Sequence, residues 1–164
     1  MNITKKIVLL GHFGVGKTSL VRRFIDKEFN PEYMVTIGLQ VKKKELIIDN
    51  TTVSLIIWDI EGNTSVTKTR NSYLLGSSGF IYVADLSRPE TFENINSEVA
   101  ILQKQFPDIP VFTVGNKTDL TNKDTLQQFL DKKNITFDST TSAKTGANVE
   151  SLFITLAKSL LINE

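Results

Sequence analysis

The spacing of apolar residues switches repeatedly between that of a buried strand and that of an amphipathic helix. Ile7-Val8-Leu9-Leu10 is an unbroken apolar run of strand length, and Leu20, Val21, Phe24 and Ile25 then recur at helical spacing. Residues 41–48 and 53–58 predict two strands joined by a turn at Asp49-Asn50, which makes an antiparallel hairpin. Residues 80–84 and 111–114 are short apolar strands, and residues 135–137 predict another. Ser87-Arg88-Pro89-Glu90 predicts a helix start with Ser87 as N-cap; Ile95, Val99, Ile101, Leu102 and Phe106 carry that helix to Pro107. Leu126, Phe129 and Leu130 mark a further helix, and Leu152, Phe153, Leu156, Leu160 and Leu161 the last.

Strands without alternation are buried on both faces, and strands that alternate with helices pair in parallel. The pattern therefore predicts an α/β fold with a mostly parallel sheet and one antiparallel edge strand. At 164 residues, with no repeat, linker or low-complexity segment, a single domain over 1–164 is expected. The net charge of +1 gives no bulk attraction to nucleic acid, so no nucleic-acid partner is expected. The lack of cysteine excludes disulfides, thiolate metal sites and a cysteine nucleophile. No apolar run approaches the roughly 18 residues of a membrane span, and residues 7–10 are too few for a signal peptide. A cytoplasmic monomer is expected. Without a cysteine for prenylation or a glycine at position 2 for myristoylation, no direct lipid anchor is expected in this chain; either a C-terminal tail has been removed or recruitment to membranes goes through partners.

The chemistry begins at Gly11-His12-Phe13-Gly14-Val15-Gly16-Lys17-Thr18, which fits the phosphate-binding pattern G-x-x-x-x-G-K-[ST] between a strand and a helix. Glycines let the backbone turn its N–H groups onto phosphate oxygens, and the following helix adds its positive end. Lys17 supplies a point charge to the outer phosphates, and the Thr18 hydroxyl is a hard ligand suited to Mg²⁺. This loop selects a nucleoside triphosphate but not its base.

Asn116-Lys117-Thr118-Asp119 directly follows an apolar strand, where the ends of strands line a ligand crevice. The Asp119 carboxylate can accept from the N1–H and N2 amine of guanine, a pair that adenine lacks. In Thr141-Ser142-Ala143-Lys144, the Ala143 N–H can donate to guanine O6. Alone, N-K-x-D is also compatible with a polar turn; the phosphate loop and the second segment favour the base-reading role.

Together with Thr36-Ile37-Gly38 and Asp59-Ile60-Glu61-Gly62, these segments resemble the signatures of the Ras superfamily across essentially the whole chain. Tyr33, Thr36-Ile37-Gly38, Trp58-Asp59, and Ser72-Tyr73 before Gly76 are most similar to the Rab branch. The resemblance implies a P-loop NTPase G domain with a six-stranded sheet and about five helices on both faces. It also implies GDP/GTP exchange, Mg²⁺ as cofactor, slow hydrolysis of GTP, and two switch loops that act in signalling. It implies nucleotide contacts from Gly14, Val15, Gly16, Lys17, Thr18, Ser19, Phe29, Tyr33, Thr36, Gly62, Asn116, Lys117, Asp119, Ser142, Ala143 and Lys144. Metal ligation falls to Thr18, Thr36 and Asp59, and catalytic parts to Lys17, Gly62 and Asn63. Effectors, exchange factors and activating proteins would meet Ile37, Val41, Trp58 and Tyr73, although Trp58 also suits simple core packing, as Phe29 suits an anchor for the first helix.

Three residues depart from that family pattern. Asn63 replaces the water-orienting glutamine with a shorter amide, Glu61 replaces a small residue, and Phe13 is a large ring where a small residue is usual and would crowd an inserted arginine. These departures leave two readings: a slow GTPase switch, or a GTP-binding interaction module with little hydrolysis.

Overall fold

Six strands form one sheet in the order β2-β3-β1-β4-β5-β6 in a computed structural model that describes residues 1–32 and 35–162. The strands are β1 (Asn2–Gly11), β2 (Leu39–Ile48), β3 (Thr51–Ile60), β4 (Gly79–Asp85), β5 (Val111–Asn116) and β6 (Ser139–Thr140). Every neighbouring pair is parallel except β2 with β3, so the antiparallel edge and the parallel body are as expected. Asp49 and Asn50 both have positive φ, 48° and 66°, the geometry that a two-residue hairpin turn requires. Five helices pack on the sheet: α1 (Lys17–Asp26), α2 (Asn71–Leu74), α3 (Ile95–Gln105), α4 (Lys123–Lys133) and α5 (Val149–Ile162).

The apolar runs lack alternation because both faces are covered. Ile7 and Leu9 face a core shared with α1 and α5, whereas Val8 and Leu10 face a second core shared with α3 and α4. Phe24 of α1 stacks on Phe153 of α5 with ring centroids 4.2 Å apart. Such pairs contribute about 0.5–1.5 kcal/mol beyond area burial, and this one fixes α1 behind the phosphate loop. No helix among the described residues is long and apolar enough to cross a membrane.

Two local expectations are corrected. Ser87 is not a helix cap: its N–H and hydroxyl both donate to Asp85 Oδ1, at 2.9 and 2.6 Å. The chain then makes a 3-10 turn over Pro89–Thr91, and α3 begins only at Ile95. Residues 135–137 are not a strand. Asn134 ends α4 in a left-handed conformation and the Ile135 N–H donates back to the Leu130 carbonyl, so this segment turns its apolar side chains into the second core. Pairing with β5 starts two residues later, at Ser139.

Strand order reverses at β1: the chain runs first to β3 on one side and later to β4 on the other. Crevices form beyond the carboxyl ends of strands at such a point. Gly11, Ile60, Asp85 and Asn116 are the last residues of β1, β3, β4 and β5, and the candidate residues follow or adjoin them.

Candidate functional site

The segment between β1 and α1 curls around a cleft of about 400 Å³, a volume that suits a small-molecule ligand. Gly16 precedes α1 with φ 102°, and a Cβ there would collide with the Asn116 amide. Since Gly16 brings no side chain to cap α1, the first N–H groups of that helix face the cleft without a side-chain acceptor. Lys17 is 6 % exposed, and its ammonium donates to the carbonyls of Gly11 and His12 at 3.2 and 3.0 Å. Burial lowers its pKa to about 8; Asp59 opposes that shift and Arg88 adds to it. Among the described residues the hydrogen bonds of this buried cation go to neutral carbonyls, which an anion can replace with gain. Burial, followed by the charge of Arg88, also lowers the pKa of His12.

The loop is braced from behind. Asn116 Nδ2 donates to the Val15 carbonyl at 3.0 Å, Lys117 Nζ to the Gly14 carbonyl at 2.8 Å, and an Arg88 terminal nitrogen to the Phe13 carbonyl at 2.6 Å. Lys117 reaches that carbonyl from a left-handed backbone, φ 68°. Asp85, 1 % exposed, joins the braces by pairing with Lys117 at 2.9 Å and Arg88 at 3.0 Å. Burial works against its charge, but the bonds from Ser87, Lys117 and Arg88 outweigh it and hold the carboxyl below its ordinary pKa. Asp85 and Arg88 were not among the residues singled out from the sequence. The available signal was a carboxylate closing an otherwise apolar strand at the crevice edge.

Below Lys17, three oxygens converge. Thr18 Oγ1 donates to Asp59 Oδ2 at 2.6 Å and lies 2.6 Å from Thr36 Oγ1. Asp59 is 2 % exposed, and its other oxygen, Oδ1, is buried without a hydrogen-bond partner among the described residues. Burial raises its pKa, outweighing the hydrogen bond from Thr18, the charge of Lys17 and the nearby Thr36 hydroxyl, which act the other way. An orphaned carboxylate oxygen beside two hydroxyls is a donor set that fits Mg²⁺, which takes hard oxygen ligands and few protein carboxylates.

At the far end of the cleft, Ser142 donates to Asp119 Oδ1 at 2.7 Å, and the second oxygen of Asp119 takes no bond from a described residue. Asn116 Oδ1 accepts from the Thr141 hydroxyl at 3.0 Å and from the Ala143 N–H at a long 3.3 Å. Arg23 of α1 holds the Ala143 and Lys144 carbonyls at 2.7 and 2.5 Å. Phe29 lines the cleft and also packs on the α1–α5 core, so both of its expected environments coexist. Gly14, Gly16, Lys17, Thr18, Ser19, Thr36, Gly62, Asn116, Lys117, Asp119, Ala143 and Lys144 line the same cleft. Val15 and Ser142 stand behind it as buried supports, and Tyr33 lies outside the described residues.

The segments around Gly38 and Glu61 meet beside the cleft. The Glu61 N–H donates to the Gly38 carbonyl at 2.9 Å, and the exposed Glu61 carboxylate lies 3.5 Å from the Gly38 N–H. Gly62 packs so closely that an added Cβ would sit 2.6 Å from Phe13 Cα. Asn63 is not brought into the cleft: its N–H donates to the Gly11 carbonyl at 3.0 Å and its amide to the Glu61 carbonyl at 3.4 Å. Ile37 is 86 % exposed and Val41 is exposed as well. Trp58 is half-buried between the second core, Tyr73, and Lys6, whose ammonium stands 3.7 Å from its ring centre. A family model described as the Ras family matches residues 6–162.

Proposed function

The chain belongs to the Ras family, and from that premise we propose that this small GTPase is a Rab-like, Mg²⁺-dependent switch that alternates between GDP and GTP and hydrolyses GTP slowly. One observation carries the reading. A single cleft joins a buried, carbonyl-held lysine to a carboxylate with a spare acceptor oxygen, and the two lie at opposite ends of the volume a nucleotide fills. Lys17 and the loop N–H groups bind the phosphates. Asp119 and the Ala143 N–H read the guanine, with Phe29 and the Lys117 stem against its faces. Thr18, Thr36 and Asp59 would hold Mg²⁺, which supplies charge neutralisation at the outer phosphates. The Gly62 N–H and Thr36 sense the last phosphate, and its loss releases both switch loops. Partners would dock on Ile37, Val41, Trp58 and Tyr73, bringing a cytoplasmic monomer to its place of action. Titration calorimetry with GDP, GTP, ADP and ATP tests the base choice; equal affinity for the adenine nucleotides would refute it.

If Thr18, Thr36 and Asp59 hold the metal, chelation speeds GDP release by roughly tenfold, about the worth of one charge-assisted contact. The same chelator has little effect on Asp59→Asn, whose basal release is already fast. Stopped-flow release of a fluorescent GDP analogue measures both, and a chelator effect of equal size in the variant removes Asp59 from the metal site.

A module that binds GTP with almost no turnover remains the second reading, favoured by the Asn63 amide bonding to Glu61 rather than reaching the cleft. Hydrolysis depends on orienting a water, and small misplacements cost large factors in rate. Asn63→Gln is therefore expected to raise the single-turnover rate at least about tenfold, roughly 1.4 kcal/mol on the barrier. Equal rates in the two proteins would show that the residue at 63 does not limit hydrolysis.

A further inference from the structure

Three consecutive carbonyls of the phosphate loop, those of Phe13, Gly14 and Val15, accept hydrogen bonds from Arg88, Lys117 and Asn116. In a trans peptide the C=O and N–H point in opposite directions. Each bond therefore fixes the N–H of the next residue: Gly14, Val15 and Gly16 in turn. A carbonyl that accepts from a cation is also polarised, which makes the N–H of the same peptide a stronger donor. Lys117 and Asn116 belong to the base-reading segment, but Arg88 does not. It comes from the loop after β4, and Asp85 aims it: Arg88 Nε pairs with Asp85 Oδ2 at 3.0 Å while a terminal nitrogen reaches the Phe13 carbonyl at 2.6 Å. Asp85 is itself fixed by Ser87 and Lys117, so the guanidinium is oriented at both ends.

We propose that Arg88 is a positioning residue for the nucleotide: acting through the Phe13 carbonyl, it turns the Gly14 N–H toward the phosphates and strengthens it as a donor. The inference rests on the nucleotide-binding reading above and adds a residue to it. It also gives the bulky side chain at position 13 a context. The Phe13 ring, 50 % exposed, lies along the cleft while its backbone carbonyl is committed to the chain's own arginine. The planar fork matters here, because in-plane N–H groups of one guanidinium must meet a carboxylate and a carbonyl together, which a lysine ammonium does less well.

The test uses ¹³C,¹⁵N-labelled protein, with and without Mg²⁺-GDP, and the variants Arg88→Gln and Arg88→Lys. In Arg88→Gln the Phe13 carbonyl carbon and the Gly14 amide proton are expected to move upfield, and GDP dissociation to quicken by about fivefold to tenfold, the effect of losing one charge-assisted bond that is partly open to solvent. Arg88→Lys is expected to fall between, with the Gly14 signal only partly recovered. A change that acted through general loosening would shift signals across β4 and α3 and treat both variants alike; that result overturns the proposal. So does a Phe13 carbonyl signal that stays in place in both variants, or a GDP dissociation rate that does not change. If Arg88→Gln does not fold, Arg88→Lys decides alone by the same two signals. Failure of the unaltered protein to bind GDP defeats the functional reading instead, because the Phe13 carbonyl can still be compared in the nucleotide-free proteins.

Discussion

Asp119→Asn is expected to weaken GDP binding by about 10²–10⁴-fold, since guanine would lose two hydrogen bonds to a carboxylate, each worth about 1.5–3 kcal/mol. The geometry predicts a change of preference as well as a loss. Ser142 donates to one oxygen of Asp119, so an asparagine at 119 would keep its amide oxygen on Ser142 and turn its NH₂ toward the base. Facing guanine, that NH₂ meets two donors. Facing xanthine, whose C2 carries a carbonyl in place of the amine, it meets an acceptor. Calorimetry with GDP and xanthosine diphosphate on both proteins gives the four affinities. A cross-over is expected: guanine preferred by the unaltered protein, xanthine by the variant. A parallel loss for both bases would mean that Asp119 supports the loop and does not read the ring. Polar sites discriminate this strongly because the wrong ligand leaves a buried group unpaired.

The sequence made the order of elements legible, because parallel strands buried on both faces write themselves as unbroken apolar runs. It under-read their lengths. β1 begins at Asn2, not Ile7, because residues 2–6 pair with β3 through backbone groups that are the same whatever the side chain. Ser87 misled for a related reason. An N-cap serine and a serine that folds onto a neighbouring carboxylate have the same local sequence, and only the position of Asp85 at the end of β4 decides between them. The phosphate loop was legible because its chemistry is local, eight consecutive residues between a strand and a helix. The Arg88 contact was not, since its acceptor is a backbone carbonyl 75 residues away and no residue type marks a carbonyl as a target. Asn63 lies between these cases. Its identity was legible as a departure, but the direction of its amide is set by a Gly11 contact that holds the backbone.

Lys17 supplies the second large effect, a pH dependence of nucleotide binding that the unaltered protein has and Lys17→Met lacks. Its ordinary pKa of 10.5 falls to about 8 in the nucleotide-free protein, chiefly through burial. Phosphate oxygens favour the charged form and draw the pKa back up on binding. Below pH 8 the lysine is protonated in both states and affinity does not depend on this group. Above it the free protein has lost the proton that the complex holds, so affinity falls toward tenfold per pH unit. Stability runs the other way. The folded pKa lies below the unfolded one, so between pH 8 and 10.5 the unfolded chain binds more protons and the empty protein gains stability as pH rises. Full charging below that window costs about 3 kcal/mol, a strain that bound phosphate relieves. Lys17→Met should therefore lose at least about 10²-fold in GDP affinity at neutral pH without losing thermal stability when empty. Its affinity should also change less between pH 7 and 9 than that of the unaltered protein. Measuring both proteins in chelator removes any metal titration, and the ionisation of guanine itself acts on both alike. The same slope in both proteins would show that the buried lysine does not change its proton when phosphate arrives.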